Sequence, residues 1–171
     1  MDESSKQCTR ETCSSIPMIP GNPERIDYGY ERNGAAHLFM GYDPFEGYQA
    51  VDVREFHTRY DLVISMKSFM ESEYKDIKKV TFFLNNLSTH NPKFFYKILP
   101  AEKARTLLNK MESLYASVHA IWLNMTEIAF SVLSRECLDR RIPDTTTFCF
   151  DIKKWLEEKN KKGLQTYWRF N

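Results

Sequence analysis

Five residues, Val80-Thr81-Phe82-Phe83-Leu84, constrain this chain more than any other stretch. The run is bulky, β-branched and aromatic, and it is short, which favours a strand over a helix. It passes directly into Asn85-Asn86-Leu87-Ser88-Thr89-His90. A buried strand that stops at a polar cluster is a common address for an active site in α/β folds. Asparagine is nonetheless an odd residue where a carboxylate would be more useful. Upstream, Leu62, Ile64, Met66, Phe69, Met70 and Tyr74 recur at mixed helical spacing and predict a helix between Asp61 and Asp76. Two strands are expected before it, over 35–42 and 48–55, and the short DPFEGY connection makes them antiparallel neighbours. Strand, helix, strand is the order of an α/β unit, and the apolar run at 80–84 suits a strand covered on both faces.

The flanks are less regular. Residues 3–33 are rich in Ser, Thr, Pro and Arg and read as an extended loop with at most short strands. Asn33-Gly34 reads as a turn. Pro92 and Pro100 are placed to start two helices, KFFYKIL and AEKARTLLNKM, the second with Ala104, Leu107, Leu108 and Met111 on one stripe. A brief strand is expected at 112–115. The clearest helix is WLNMTEIAFSVLSREC, with Trp122, Met125, Ile128, Ala129, Val132 and Leu133 at spacings of three and four. A last helix should run from about Asp144 to Lys159, with Phe148, Ile152 and Leu156 four apart, closed by Gly163. TYWRF after it is expected to fold back on an apolar face.

Composition narrows the classes. A chain of 171 residues with 42% hydrophobic and 27% charged content is long enough for one domain with a real core. Its 24 basic and 23 acidic residues leave a formal charge of +1, which argues against a self-sufficient nucleic-acid module but permits a local basic face. No apolar run approaches membrane-spanning length. Cys8, Cys13, Cys137 and Cys149 form no C-x-x-C pair, so a zinc site is disfavoured and a reducing, cytoplasmic compartment fits best. Cys137 and Cys149 lie among apolar residues and are expected as buried thiols.

Candidate chemistry is sparse on residue types alone. On a helix starting near Trp122, Asn124 and Glu127 share a face, so the Glu127 carboxylate can look toward a strand end. Spacing alone also leaves Glu127 readable as a solvent-exposed glutamate. His90 and His119 lack metal-binding spacing and read as loop or packing histidines. Asp2 and Glu3, at the start, read as frayed. From the residues, the chain is an α/β domain with a polar site near 85–90.

The segments PGNPERIDYGYERNG, LNNLSTHNP, WLNMTEIAFSVLSRECLDRRIPD and the terminal WRF go further. Together they make the chain resemble the catalytic part of bacterial insertion-sequence transposases, in the Tc1/mariner-related group with a DDE superfamily endonuclease domain. The resemblance covers nearly the whole chain. It implies a ribonuclease-H-like fold, a mixed sheet flanked by helices. It implies two Mg²⁺ or Mn²⁺ ions held by three carboxylates, since two hard cations clamp the attacking and leaving oxygens of an in-line displacement at phosphorus. The implied partners are double-stranded DNA at transposon ends and target, and a second copy of the chain or an intact transposase. The implied location is the bacterial cytoplasm, at the nucleoid.

Carried over by position, the first carboxylate is Asp2, with Glu3 beside it, and the third is Glu127. The second falls on Asn85, where the family pattern has aspartate followed by asparagine, here Asn86. Asn86, His90, His119 and Asn124 become supporting positions. A neutral amide in place of a charged ligand predicts little or no strand cleavage. Between Tyr115 and Trp122 the family pattern Thr-Pro-Lys-His-Gly-Ser is replaced by Ala116-Ser117-Val118-His119-Ala120-Ile121. The family's end-recognition region and the strand delivering the first aspartate have no counterpart. The expectation is therefore a truncated domain over 34–171 that lacks its first central strand, preceded by a polar segment over 1–33. It is a degenerate copy or, alternatively, a non-catalytic remnant that binds DNA or an intact transposase.

Overall fold

Strand β2 (Tyr30–Asp43) organises the molecule, because its alternating side chains enter two separate cores. The computed structural model describes residues 1–25, 27–85, 91–115 and 125–163. On one edge β2 pairs antiparallel with β1 (Asp2–Glu11), from Asp2↔Met40 to Glu11↔Tyr30. On the other it pairs antiparallel with β3 (Tyr48–Arg54), from Asp43↔Tyr48 to His37↔Arg54. The β2–β3 turn is closed by Asp43, whose Oδ1 accepts from the backbone of Phe45 and Glu46.

Helix α1 (Arg59–Glu71) starts at a capping box: Thr58 accepts from the Asp61 backbone, and the Asp61 carboxylate accepts from the Thr58 backbone. Its residues Leu62, Val63, Met66 and Met70 pack on Phe39 from β2, together with Phe82 and Leu84 from β4 (Val80–Leu84) and Phe94, Phe95, Ala104 and Leu107. The last four come from α2 (Lys93–Ile98) and α3 (Ala101–Lys110), which connect β4 to its parallel neighbour β5 (Met111–Tyr115). On the opposite face of β2, Leu38 and Met40 meet α4 (Met125–Leu133) and α5 (Thr145–Lys162) through Leu133, Phe148, Ile152 and Trp155. The result is an α/β fold with helices on both sides of the strands. The antiparallel and parallel sets meet where the Met1 amine donates to the Phe83 carbonyl at 2.8 Å.

Several expectations change here. Residues 2–11 are a strand, not a loop, and β2 runs across the expected boundary between 33 and 34. The segment hid from the sequence because its prolines, at 17, 20 and 23, all lie beyond Glu11, and its one fully buried apolar side chain is Cys8. The chain from Asp2 onward therefore enters the sheet as a strand paired with β2. Asn33-Gly34 is not a turn. It lies inside β2 with Gly34 at φ 81°, where the β1–β2 register shifts between Gln7 and Thr9. This is a bulge, two residues facing one, and glycine supplies the positive φ it requires. The backbone N–H of Thr9, released by the shift, donates to the Ile142 carbonyl at 2.8 Å.

Strand β4 is covered on one face only: Phe82 and Leu84 are buried, but Phe83 is 63% exposed. Cys137 is half-buried and Cys149 exposed; Cys8 is the buried thiol, and all four are free. The long helix ends in a π-helical turn, Ser134–Leu138, and buries Thr126, Ala129 and Leu133 while leaving Ile128 half exposed. Helix α5 starts one residue later than expected, capped by Asp144, and runs to Lys162 before Gly163 at φ 50°. TYWRF lies outside the described residues. Among the described residues, no helix is long and apolar enough to cross a membrane.

Candidate active site

The Met1–Phe83 hydrogen bond sets the start of β1 beside the end of β4, and that adjacency builds the site. Asp2, the first residue of β1, is 8% exposed and register-locked opposite Met40, so it is not a frayed end. Asn85 follows β4 directly and turns its amide toward Asp2: Nδ2 donates to Asp2 Oδ1 at 3.1 Å. The Glu3 backbone N–H donates to the same oxygen at 2.9 Å. From the opposite layer, the first turn of α4 presents Glu127. All three positions line one open cavity of about 470 Å³, together with Glu3, Ser4, His57 and Phe130.

Electrostatics in this cavity are unbalanced. Burial, and then the neighbouring Asp2 charge, raise the Glu127 pKa above the ordinary glutamate value. Two carboxylates that disfavour each other across a polar cavity are an arrangement a cation relieves. The donor set is nevertheless short. Among the described residues, no group of three or more His, Cys, Asp or Glu side chains could hold a metal ion. Asp2, Glu3 and Glu127 are the carboxylates that line the cavity, and Asn85 adds a neutral amide where a further carboxylate would carry charge.

Glu3 points to the other face of β1. Its side chain is 7% exposed, and its Oε2 lies 2.9 Å from His57 Nε2. A carboxylate only accepts, so Nε2 carries the proton in this pair. The His57 ring stacks on His37 at 5.5 Å between centroids, and His37 Nδ1 is 2.7 Å from Ser5 Oγ. Nothing in the sequence spacing singles out His57. It becomes visible only when β3 ends at Arg54 and the chain turns into α1 at the cavity rim. Asn86, His90, His119 and Asn124 lie outside the described residues.

Residues 1–149 match the family model for the DDE superfamily endonuclease. The chain belongs to that family. Searches of curated proteins and of solved structures found no match. The cavity joining β1, the end of β4 and α4 gathers acidic side chains that the fold brings together from distant segments of the chain.

Proposed function

We propose that this chain is a DDE transposase domain acting on DNA, and that Asn85 cripples its strand cleavage. The observation that carries the reading is the hydrogen bond from Asn85 Nδ2 to Asp2 Oδ1. An amide satisfies Asp2 with its N–H where an aspartate would add a second negative charge. Asp2 and Glu127 would hold a divalent cation, with Asn85 offering a neutral oxygen. Such a cation, when bound, supplies Lewis-acid activation of the attacking oxygen and charge relief at the scissile phosphate. The protein's own part is to fix Asp2 by the β1–β2 register, to fix Asn85 by the end of β4, and to keep Glu127 within reach from α4.

The test is nicking of supercoiled plasmid DNA with Mn²⁺, comparing the natural chain with Asn85→Asp. The variant should nick at least tenfold faster, beyond the lower end of the roughly 10- to 100-fold that outer-shell changes cost a metal site. Equal rates for the two proteins would refute the assignment of Asn85 as the defect.

A further inference from the structure

Three cations gather around one aromatic ring, that of Phe94 in α2. The Arg59 guanidinium carbon lies 4.6 Å from the Phe94 centroid, the Lys93 ammonium 5.4 Å and the Lys97 ammonium 5.7 Å. Phe94 is 8% exposed, while the three cationic residues lie at the surface around it. Cation–π attraction holds each charge in place. It does not neutralise them, and the cluster has no acidic partner among the described residues. Two acids of the adjoining segments are engaged elsewhere: Glu3 faces His57, and Asp61 accepts from Thr58. Lys67, Lys79, Lys103, Arg140, Arg141 and Lys159 pair with carboxylates; what sets the triad apart is that its three charges share one aromatic ring. In a chain with a net charge of only +1, three cations around one ring are a local concentration of positive charge.

Its position is informative. Arg59 opens α1 two residues after His57, which lines the cavity; α2, carrying Lys93 and Lys97, belongs to the connection that leaves β4 past Asn85. Both chain segments that leave this side of the cavity therefore lead to the triad. Resting on the reading of the chain as a DNA-acting domain, we propose that Arg59, Lys93 and Lys97 form a backbone-phosphate subsite that seats the DNA strand flanking the bond presented to Asp2 and Glu127. Phosphate is the fitting ligand because its oxygens accept from guanidinium and ammonium groups together, and because several closely spaced cations match a polyanion better than a single carboxylate. The Phe94 ring holds the three side chains in place before DNA arrives, so less side-chain freedom is lost on binding.

The experiment is fluorescence anisotropy with a labelled DNA duplex and the full chain in EDTA, so that cleavage plays no part, across a series of salt concentrations. Each lost phosphate contact reduces the slope of log K against log salt by about 0.9. The triple variant Arg59→Gln/Lys93→Gln/Lys97→Gln should lose about two to three in slope and more than tenfold in affinity. Arg59→Lys/Lys93→Arg/Lys97→Arg, which keeps the charges, should keep the slope. Lys153→Gln/Lys154→Gln, on exposed positions of α5 across the molecule, should leave the slope within one contact of the natural value. A natural chain that binds DNA while the Gln triple retains its slope overturns the subsite alone. A natural chain with no salt-dependent DNA binding overturns the DNA-acting reading and the subsite together.

Discussion

Replacing Asn85 by aspartate should destabilise the metal-free protein and make its stability depend on a divalent cation. In the natural chain the Asn85 amide donates to Asp2 Oδ1 at 3.1 Å, a hydrogen bond to a charged acceptor. Losing a bond of that type costs about 1.5–3 kcal/mol. The new carboxylate would also sit against the Asp2 charge; at a separation of about 4 Å and an effective dielectric of about 20 that repulsion is roughly 4 kcal/mol before screening. Asn85 is only half-buried, so solvent reduces this term well below its unscreened value. A net loss of about 2–4 kcal/mol in EDTA is expected. The repulsion holds the new carboxyl's folded-state pKa above its unfolded value. The penalty is therefore full at neutral pH and is relieved as pH falls through that raised pKa. A cation that binds only the folded variant returns about 2.7 kcal/mol at a hundredfold excess over its Kd. Urea unfolding of both proteins, with EDTA and with Mn²⁺, measures all of this. Equal stability of the natural chain and the Asn85→Asp variant in EDTA, with no gain from Mn²⁺, would refute the reasoning about the Asp2 environment.

Two further outcomes follow from the frame around the site. Burial lowers the Met1 amine to about 6, against an ordinary value of 8.0, with Asp2 opposing the shift. The folded state thus binds fewer protons between those values, so stability should rise from pH 6 to pH 8, by up to about 2.7 kcal/mol. Acetylating that amine should flatten the profile, and an unchanged slope by urea titration would rule out the amine as its source. Gly34→Ala should cost about 1–2 kcal/mol, because φ 81° is disfavoured for any residue with a Cβ even though the added methyl meets open space. A loss of a few tenths or less in urea unfolding would mean the bulge relaxes away.

What the sequence disclosed, and what it hid, divides along physical lines. Apolar periodicity exposed β4, α1, α3 and α5 because their buried faces are built from Leu, Ile, Phe and Met. Pro100 marks a helix start that the backbone then uses, whereas the Thr58–Asp61 box that starts α1 ahead of Asp61 emerged only in the fold. Strand β1 stayed hidden because pairing with β2, not apolar content, holds it. The exposed side of Phe83 was equally opaque, since a run of apolar residues does not say which faces find partners. For the site, family resemblance singled out Asp2, Asn85 and Glu127; only the folded chain puts them on one cavity and adds His57. Lys93, Phe94 and Lys97 share the short α2, but Arg59 joins them only because α1 packs against α2, which no spacing rule supplies.

The bulge at Asn33-Gly34 sets the parity of the strand that follows it. Downstream, Phe39 enters the α1 side while Leu38 and Met40 enter the α4–α5 side. A strand has only two faces, so removing one residue from this stretch while the pairing upstream holds would exchange the two sets wholesale. Phe39 would be driven among side chains shaped around Leu38 and Met40, and Asp2 would lose its present partner across the ladder. Single replacements near Gly34 are therefore a local matter, whereas a one-residue change in length is a mirror-like inversion of the whole interior, felt as far away as the acidic cavity.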